Sequence, residues 1–469
     1  MTIALVCGIS VTASAATLTV DNTTDAAAMF ACTAAPNDCS LRGAIRAAAS
    51  GDKIDFDGAV FAGSRTIQLP NGRLVINKSL TITGTGADRL TIQNTKARGT
   101  ASNVFYIDSA AVNLSGMTIT GGNESDGTAG GIDNSGLSTT ITNCVISNNT
   151  GGIGGGISNN RNLTLLNSTV SGNTATDNFF SGGGIYFPGG TMTITNSTIS
   201  GNTGTGTGTN IAGGIFVAGT LTITNSTITN NTAPAGANNA SGIVNSSYGT
   251  ATLRNTIVAA NVNNGSVPDL TGAFTSSGFN LIGNPGEAIG LIASDQRGNS
   301  TTPLAPKLDP TLQLNGGTTP NHALLAGSPA IDKGNSFGLT TDQRGLTRPF
   351  DNPGITNATG GDGADIGAFE VQAAPTAATV SVGGRVMTSE GRGIRNVVIR
   401  LTDSEGNVRT AISNSFGYYR FNDVEAGATY ILTASGKRFS FSQPSQVLNV
   451  NDETEEVNFI ANPIKRFGM

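Results

Sequence analysis

The chain has 469 residues, 64 of them Gly, with one His, no Trp, 12% charged residues and a formal net charge of -5. Disorder usually comes with high charge, and an acidic balance without basic clusters along the sequence argues against nucleic acid or anionic membranes as partners. After the first twenty residues no apolar run reaches the length of a membrane-spanning helix, about 18 residues.

Residues 2–12, TIALVCGISVT, are apolar, and Ala13-Ser14-Ala15 supplies a small-residue cleavage site. Residues 1–15 are therefore expected to be a secretory signal peptide, placing the protein outside the cell or at its surface. The usual basic region before the run is missing, which a start upstream of Met1 would explain. A lipoprotein signal at Cys7 is the alternative, but Ala4-Leu5-Val6 fits that cleavage poorly. Cys32 and Cys39 bracket a Pro-Asn-Asp turn and suit a local disulfide in an oxidising compartment. Cys144 reads as a free thiol, and no Cys/His spacing suits zinc.

Residues 16–53 are expected to form an N-terminal strand and a capping helix. In Ser40–Ser50, SLRGAIRAAAS, Leu41, Ala44, Ile45 and Ala48 share one face, so the segment reads as a plug for an open sheet end. ATLTVDNTTD followed by CSLRGAIRAA resembles the N-terminal module named after its Cys-Ser-Leu-Arg-Glu-Ala sequence, found at the start of bacterial exported repeat proteins. Gly43 stands where that motif has Glu, so any capping by that acid is absent.

Residues 54–372 are expected to form one domain, and from Ile54 to about Pro310 one unit recurs in it. Its frame returns at Asn143, Asn167, Asn196, Asn225 and Asn255, in steps of 24, 29, 29 and 30 residues. Two positions earlier stand Ile141, Leu165, Ile194, Ile223 and Leu253; three later, Ile146, Val170, Ile199, Ile228 and Val258; six later, Asn149, Asn173, Asn202, Asn231 and Asn261. Ile132, Ile157, Ile185, Ile215 and Ile243 supply a third apolar column. Short alternating strands at this period predict an all-β fold, a right-handed parallel β-helix of the pectate-lyase-like kind, with nine or ten coils before about Pro310. Both Asn columns are expected to ladder amide hydrogen bonds from coil to coil. Inserts such as Thr203–Asn210 and Ala233–Ala240 read as lengthened corners, the usual location of a binding face.

Within residues 318–370, TTPNHALLAGSPAIDKGN, TDQRGLTRP and GGDGADIGAFE resemble the end of the choice-of-anchor Q family of bacterial surface proteins. That resemblance implies surface placement, not a reaction. Asp342, Arg344 and Arg348 are expected to form ion pairs that hold the last coil closed. A linker, residues 373–378, precedes a domain over 379–463 with strands at Val380–Met387, Asn396–Leu401, Tyr418–Phe421 and Tyr430–Ala434, an antiparallel β-sandwich. It resembles the carboxypeptidase-regulatory-like or Cna-B-like module. Arg385 stands where a cross-linking member would carry Lys, so no isopeptide bond is expected.

The chemistry-bearing residues are sparse. Between Asn143 and Asn261 the charges are Arg161, Asp177 and Arg254, too few for the paired carboxylates of a glycosidase or the acids and base of a calcium-dependent lyase. His322 lies outside the repeats and reads as structural. Asp351, Asp362 and Asp365 are the candidate cation ligands, for Ca²⁺, although Asx turns are the preferred reading; no other cofactor is expected. Thr193/Thr195, Thr222/Thr224 and Thr140/Thr142 suggest an ice-binding array, interrupted at Leu163-Thr164-Leu165-Leu166 and Ala251-Thr252-Leu253-Arg254. The expectation is a non-catalytic, structural or adhesin-like rod whose polar face meets glycan or surface protein, with a polysaccharide lyase or hydrolase as the alternative.

Overall fold

A computed structural model describes residues 15–99, 101–125, 127–261, 267–372, 379–403, 406–450 and 452–463. The expected signal peptide, apart from Ala15, and the 373–378 linker lie outside these residues. Two compact units divide the chain, residues 1–372 and 373–469.

The first unit is a right-handed parallel β-helix with three faces. Face one has ten strands, from Thr17–Val20 to Phe274–Ser276; face two has ten, from Arg65–Leu69 to Gln296–Arg297; face three has eight, from Leu74–Ile76 to Leu270–Thr271. All three faces are present in eight consecutive coils, fewer than nine or ten, because the ends contribute strands to one or two faces only. Residue-by-residue parallel register stacks Ile141, Leu165, Ile194, Ile223 and Leu253 on face one. The same holds for Ile146, Val170, Ile199, Ile228 and Val258 on face two and for the Ile132–Ile243 column on face three. Every one of these side chains is fully buried, so the three aliphatic columns form one continuous core.

Thr17–Val20 pairs with Lys53–Phe56 as the first rung of face one, so the N-terminal strand belongs to the solenoid. Helix α1, Leu41–Ala47, is shorter than the expected Ser40–Ser50 because it ends after two turns, with Ala48 in an extended conformation. Ser40 caps it, its Oγ accepting from Gly43 N at 3.0 Å. A Cβ at Gly43 would lie 1.8 Å from Met29 O, so no side chain fits where the related motif has Glu. Cys32 and Cys39 are joined by a disulfide in the loop before the helix, and Cys144 is a buried free thiol pushed up to about 12 by desolvation.

The two Asn columns behave differently. In the column beginning at Asn149, each amide donates to the next Oδ1: Asn149 to Asn173 at 3.0 Å, Asn173 to Asn202 and Asn202 to Asn231 at 2.9 Å, Asn231 to Asn261 at 2.8 Å. Asp269 ends the ladder by accepting from Asn261 Nδ2 at 2.7 Å. The column Asn143, Asn167, Asn196, Asn225, Asn255 makes no such ladder, contrary to expectation. All five sit at the corner with φ between 46° and 52°, the left-handed region Asn tolerates. That turn points the amides of Asn196, Asn225 and Asn255 away from the coil axis, where they donate to Thr341 O, Ser336 O and Asp365 O. The residue after each corner carries a further ladder: Cys144 N donates to Ser168 Oγ, Ser168 N to Ser197 Oγ and Ser197 N to Ser226 Oγ.

The acceptors of the corner amides belong to residues 318–370, which run back over face two as a strap. Thr198 Oγ1 donates to Gln343 Oε1 at 2.6 Å, and Gln343 Nε2 reaches Thr169 Oγ1 at 3.0 Å. Further along, Ala368 N donates to Thr227 Oγ1 and Gly367 N to Asn255 O, each at 3.0 Å. Leu324, Ile331 and Ile366 pack against Ile257 and Leu281 in a small core outside the main one. The ion pairs expected to close the last coil instead brace this strap. Arg344 pairs with Asp342 at 2.6 Å, while Arg348 pairs with Glu370 at 2.7 Å, both groups of the latter pair being fully buried. Burial raises both Asp365, to about 7, and Glu370.

The second unit is a sandwich of two four-stranded sheets. One holds Tyr418–Glu425, Thr379–Met387, Phe459–Pro463 and Phe439–Phe441, in that order; the other holds Val408–Ile412, Val398–Thr402, Ala428–Ser435 and Ser445–Val450. Pairing is antiparallel except where Val386 and Met387 meet Phe459 and Ile460 in parallel. Val382, Ile399, Leu401, Phe421, Leu432 and Phe459 fill the space between the sheets. Arg385 lies over the Tyr418 ring, with 5.2 Å to its centroid.

Candidate functional site

Face three presents an outward column in parallel register: Val75, Tyr106, Asp133, Ser158, Tyr186, Phe216, Val244 and Thr271. Each lies one residue after, or between, the inward apolar positions, as strand alternation requires. The column changes character along its length. Asp133 and Ser158 make it polar in the middle coils, after Val75 and Tyr106; Tyr186, Phe216 and Val244 then make it aromatic and aliphatic before Thr271.

The aromatic part forms the floor of a cleft of about 920 Å³ lined by Phe180, Tyr186, Phe216, Asn245, Tyr248 and Glu287 among others. Tyr186 and Phe216 stack at 5.4 Å with 16° between their planes, and Phe180 meets Phe216 edge-on at 5.9 Å. The lengthened corners form one wall: Thr174–Ala175 pairs with Thr203–Gly204, and Ser181–Gly182 with Ile211–Ala212. These inserts therefore stack on each other as an additional layer, leaving Phe180 half exposed. The turn after Ile243–Asn245 supplies the other wall and holds Tyr248 out to solvent, 87% exposed. Asn245 is buried, and its Oδ1 has no hydrogen-bond partner in the protein. Glu287 is the one charged residue lining the cleft.

Toward the N-terminal coils, Arg73 lies 4.5 Å from the Tyr106 ring centroid, and Tyr106 is in register with Asp133. Burial pushes the Asp133 carboxyl up to about 6, opposed by Arg73 and reinforced by Glu124. At the rise of one coil, about 4.8 Å, Asp133 lies two steps from Tyr186, roughly 10 Å away.

The other singled-out residues take framework roles. His322 is buried, its Nδ1 2.7 Å from Asp309 O and its Nε2 2.8 Å from Ser200 Oγ. A carbonyl can only accept, so Nδ1 carries the proton and Nε2 accepts from the serine; desolvation lowers the pKa and keeps the ring neutral. Asp362 accepts from Ser336 N and Ser336 Oγ, and Asp365 from Asp332 N and Val371 N. Among the described residues no group of three or more His, Cys, Asp or Glu gathers as a metal site. On face one Thr140, Thr164, Thr193, Thr222, Thr252 and Thr275 make one unbroken outward column, but Leu166 and Arg254 interrupt its neighbour.

Stacked parallel faces with three inward columns define the first unit as a parallel β-helix, and residues 78–258 match the family described as right handed beta helix region. Residues 381–461 match the family described as carboxypeptidase regulatory-like domain. The N-terminal segment and residues 318–370 lie outside both matches. A solved structure of pectate lyase Pel9A is similar at 16% identity and a TM-score of 0.41, covering 76% of this chain and 97% of that one. No curated protein matches the chain. No helix among the described residues is long and apolar enough to cross a membrane.

Proposed function

We propose that the protein is an extracellular or surface-associated β-helix that binds glycan in the cleft on face three without cleaving it. The observation that carries this reading is the stacked Tyr186–Phe216 floor beside an exposed Tyr248. Flat aromatic faces receive the apolar C–H face of a pyranose ring, while neighbouring amides satisfy its hydroxyls. Asn238 and Ser247, both exposed in the lining, offer hydrogen-bonding groups to the sugar hydroxyls. Cleavage at this position would need a second carboxylate or a base, and Glu287 stands without either in the lining. Binding of neutral oligosaccharides to the wild-type chain, weakened about tenfold or more by Tyr248→Ala, is the expected result of titration calorimetry. Unchanged affinity in that variant would overturn the assignment to this cleft.

A second reading rests on Asp133. A carboxyl pushed up to about 6 beside Arg73 and Glu124, on the same outward column as the cleft, is the group around which a polysaccharide hydrolase or lyase would be organised. New reducing ends or unsaturated products from wild type, lost in Asp133→Asn, would establish that activity and replace the non-catalytic reading.

A further inference from the structure

The second unit contains a different kind of cleft. Its space of about 1000 Å³ is lined by Arg392, Arg395, Lys437 and Arg438 together with Thr388, Asn396, Ser435 and Phe439, and by no Asp or Glu. The cations come as two pairs, Arg392/Arg395 and Lys437/Arg438, more than forty residues apart in sequence, and register explains their convergence. Val398 is paired with Ser435, so the loop entering one strand and the turn leaving its neighbour emerge at the same end of the sheet. Met387 bridges to Gly393, and Gly436 to Phe439, which makes both connections tight. A Cβ at Gly393 would lie 2.0 Å from Phe416 O, so the loop carrying Arg392 and Arg395 is held against the adjacent backbone. All four side chains are exposed, and none joins an ion pair among the described residues, although the chain as a whole is acidic. Glu390, in the same connection as Arg392, does not line the cleft.

Four like charges brought together without counter-charges repel one another, and a concave site concentrates their field. Three are guanidinium groups, whose planar forks match carboxylate and phosphate oxygens. We infer that this cleft binds an acidic polysaccharide, a chain carrying carboxylate or phosphate groups, independently of the face-three cleft. A concave space of this size accepts a segment of a single flexible chain, whereas an anionic bilayer offers a plane. Single-stranded nucleic acid would use stacking platforms, and Phe439 is the one aromatic ring in the lining.

The test uses the full chain and a six-unit oligouronate, with a six-unit phosphate-bearing glycan, a neutral hexasaccharide, single-stranded DNA and anionic phospholipid vesicles as parallel probes. Wild type is expected to bind at least one of the two acidic glycans, with affinity falling about tenfold or more between 50 and 200 mM salt. The two glycans then distinguish carboxylate from phosphate as the recognised group. Arg395→Glu combined with Lys437→Glu should weaken that binding at least tenfold while leaving the thermal midpoint unchanged, since both side chains are exposed. Tyr248→Ala should leave it unaltered. Failure of both acidic glycans to bind, unchanged binding in the double variant, or tighter binding of DNA or vesicles would each overturn the inference. None of these outcomes bears on neutral-glycan binding at face three.

Discussion

Two columns of Asn repeat at the same period in the same coils, yet they do unlike things. The Asn149–Asn261 column is turned inward and spends both ends of every amide on its neighbours above and below. The Asn143–Asn255 column holds the left-handed corner, and the amides of Asn196, Asn225 and Asn255 donate to the strap. Periodicity therefore identifies where a residue stands, while the sign of φ decides where its side chain goes. One column couples adjacent coils; the other couples the solenoid to a distant part of the chain.

The largest expected effect comes from cutting the inner column. Asn202→Ala removes the bonds from Nδ2 to Asn231 and Val170 O and those Oδ1 accepts from Asn173, leaving buried groups unpaired. A loss of about 3 to 5 kcal/mol in denaturant unfolding is expected. At the outer column, Asn225→Ala loses one bond to Ser336 O and places Ala in the left-handed region, for about 1 to 2 kcal/mol. Asn225→Gly relieves the backbone term and should cost about 1 kcal/mol or less, with faster proteolysis within 318–370 as the accompanying sign. Equal losses in Asn202→Ala and Asn225→Ala would erase the distinction between the columns.

A pH dependence is expected at the foot of the inner ladder. Burial raises the Asp269 carboxyl from 3.8 to about 6 despite the bonds it accepts. Between these values the unfolded chain releases its proton while the folded one keeps it, so this group's contribution to stability falls as pH rises from about 4 to 6. Asp269→Asn should remove that decline, seen as a flatter plot of unfolding midpoint against pH over the same window.

The solenoid was legible because each aliphatic column repeats with fixed offsets, and stacking leaves those side chains nowhere else to go. The strap was not legible. Thr198 and Ser200 flank inward Ile199 and look like a solvated strand edge, but both are buried beneath residues more than a hundred positions away. Nothing local in the sequence links Glu370 to its partner Arg348, 22 residues away. At the candidate site, Tyr186 and Phe216 follow directly after the column residues Ile185 and Ile215. Reading that next column would have shown apolar residues where Asp133 and Ser158 stand in earlier coils. The basic cleft was invisible because its cations are dispersed in sequence and meet only through the register of two strands.

A stack of coils that touch only their neighbours can fray from an end, one rung at a time. The strap changes this. It is stitched at Asn167, Asn196, Asn225 and Asn255, so the last coils cannot open without first lifting a segment fastened four coils back. A pull on Gln372 would have to peel these stitches before it reached the rungs beneath, so the strap acts as a lamination laid along the solenoid.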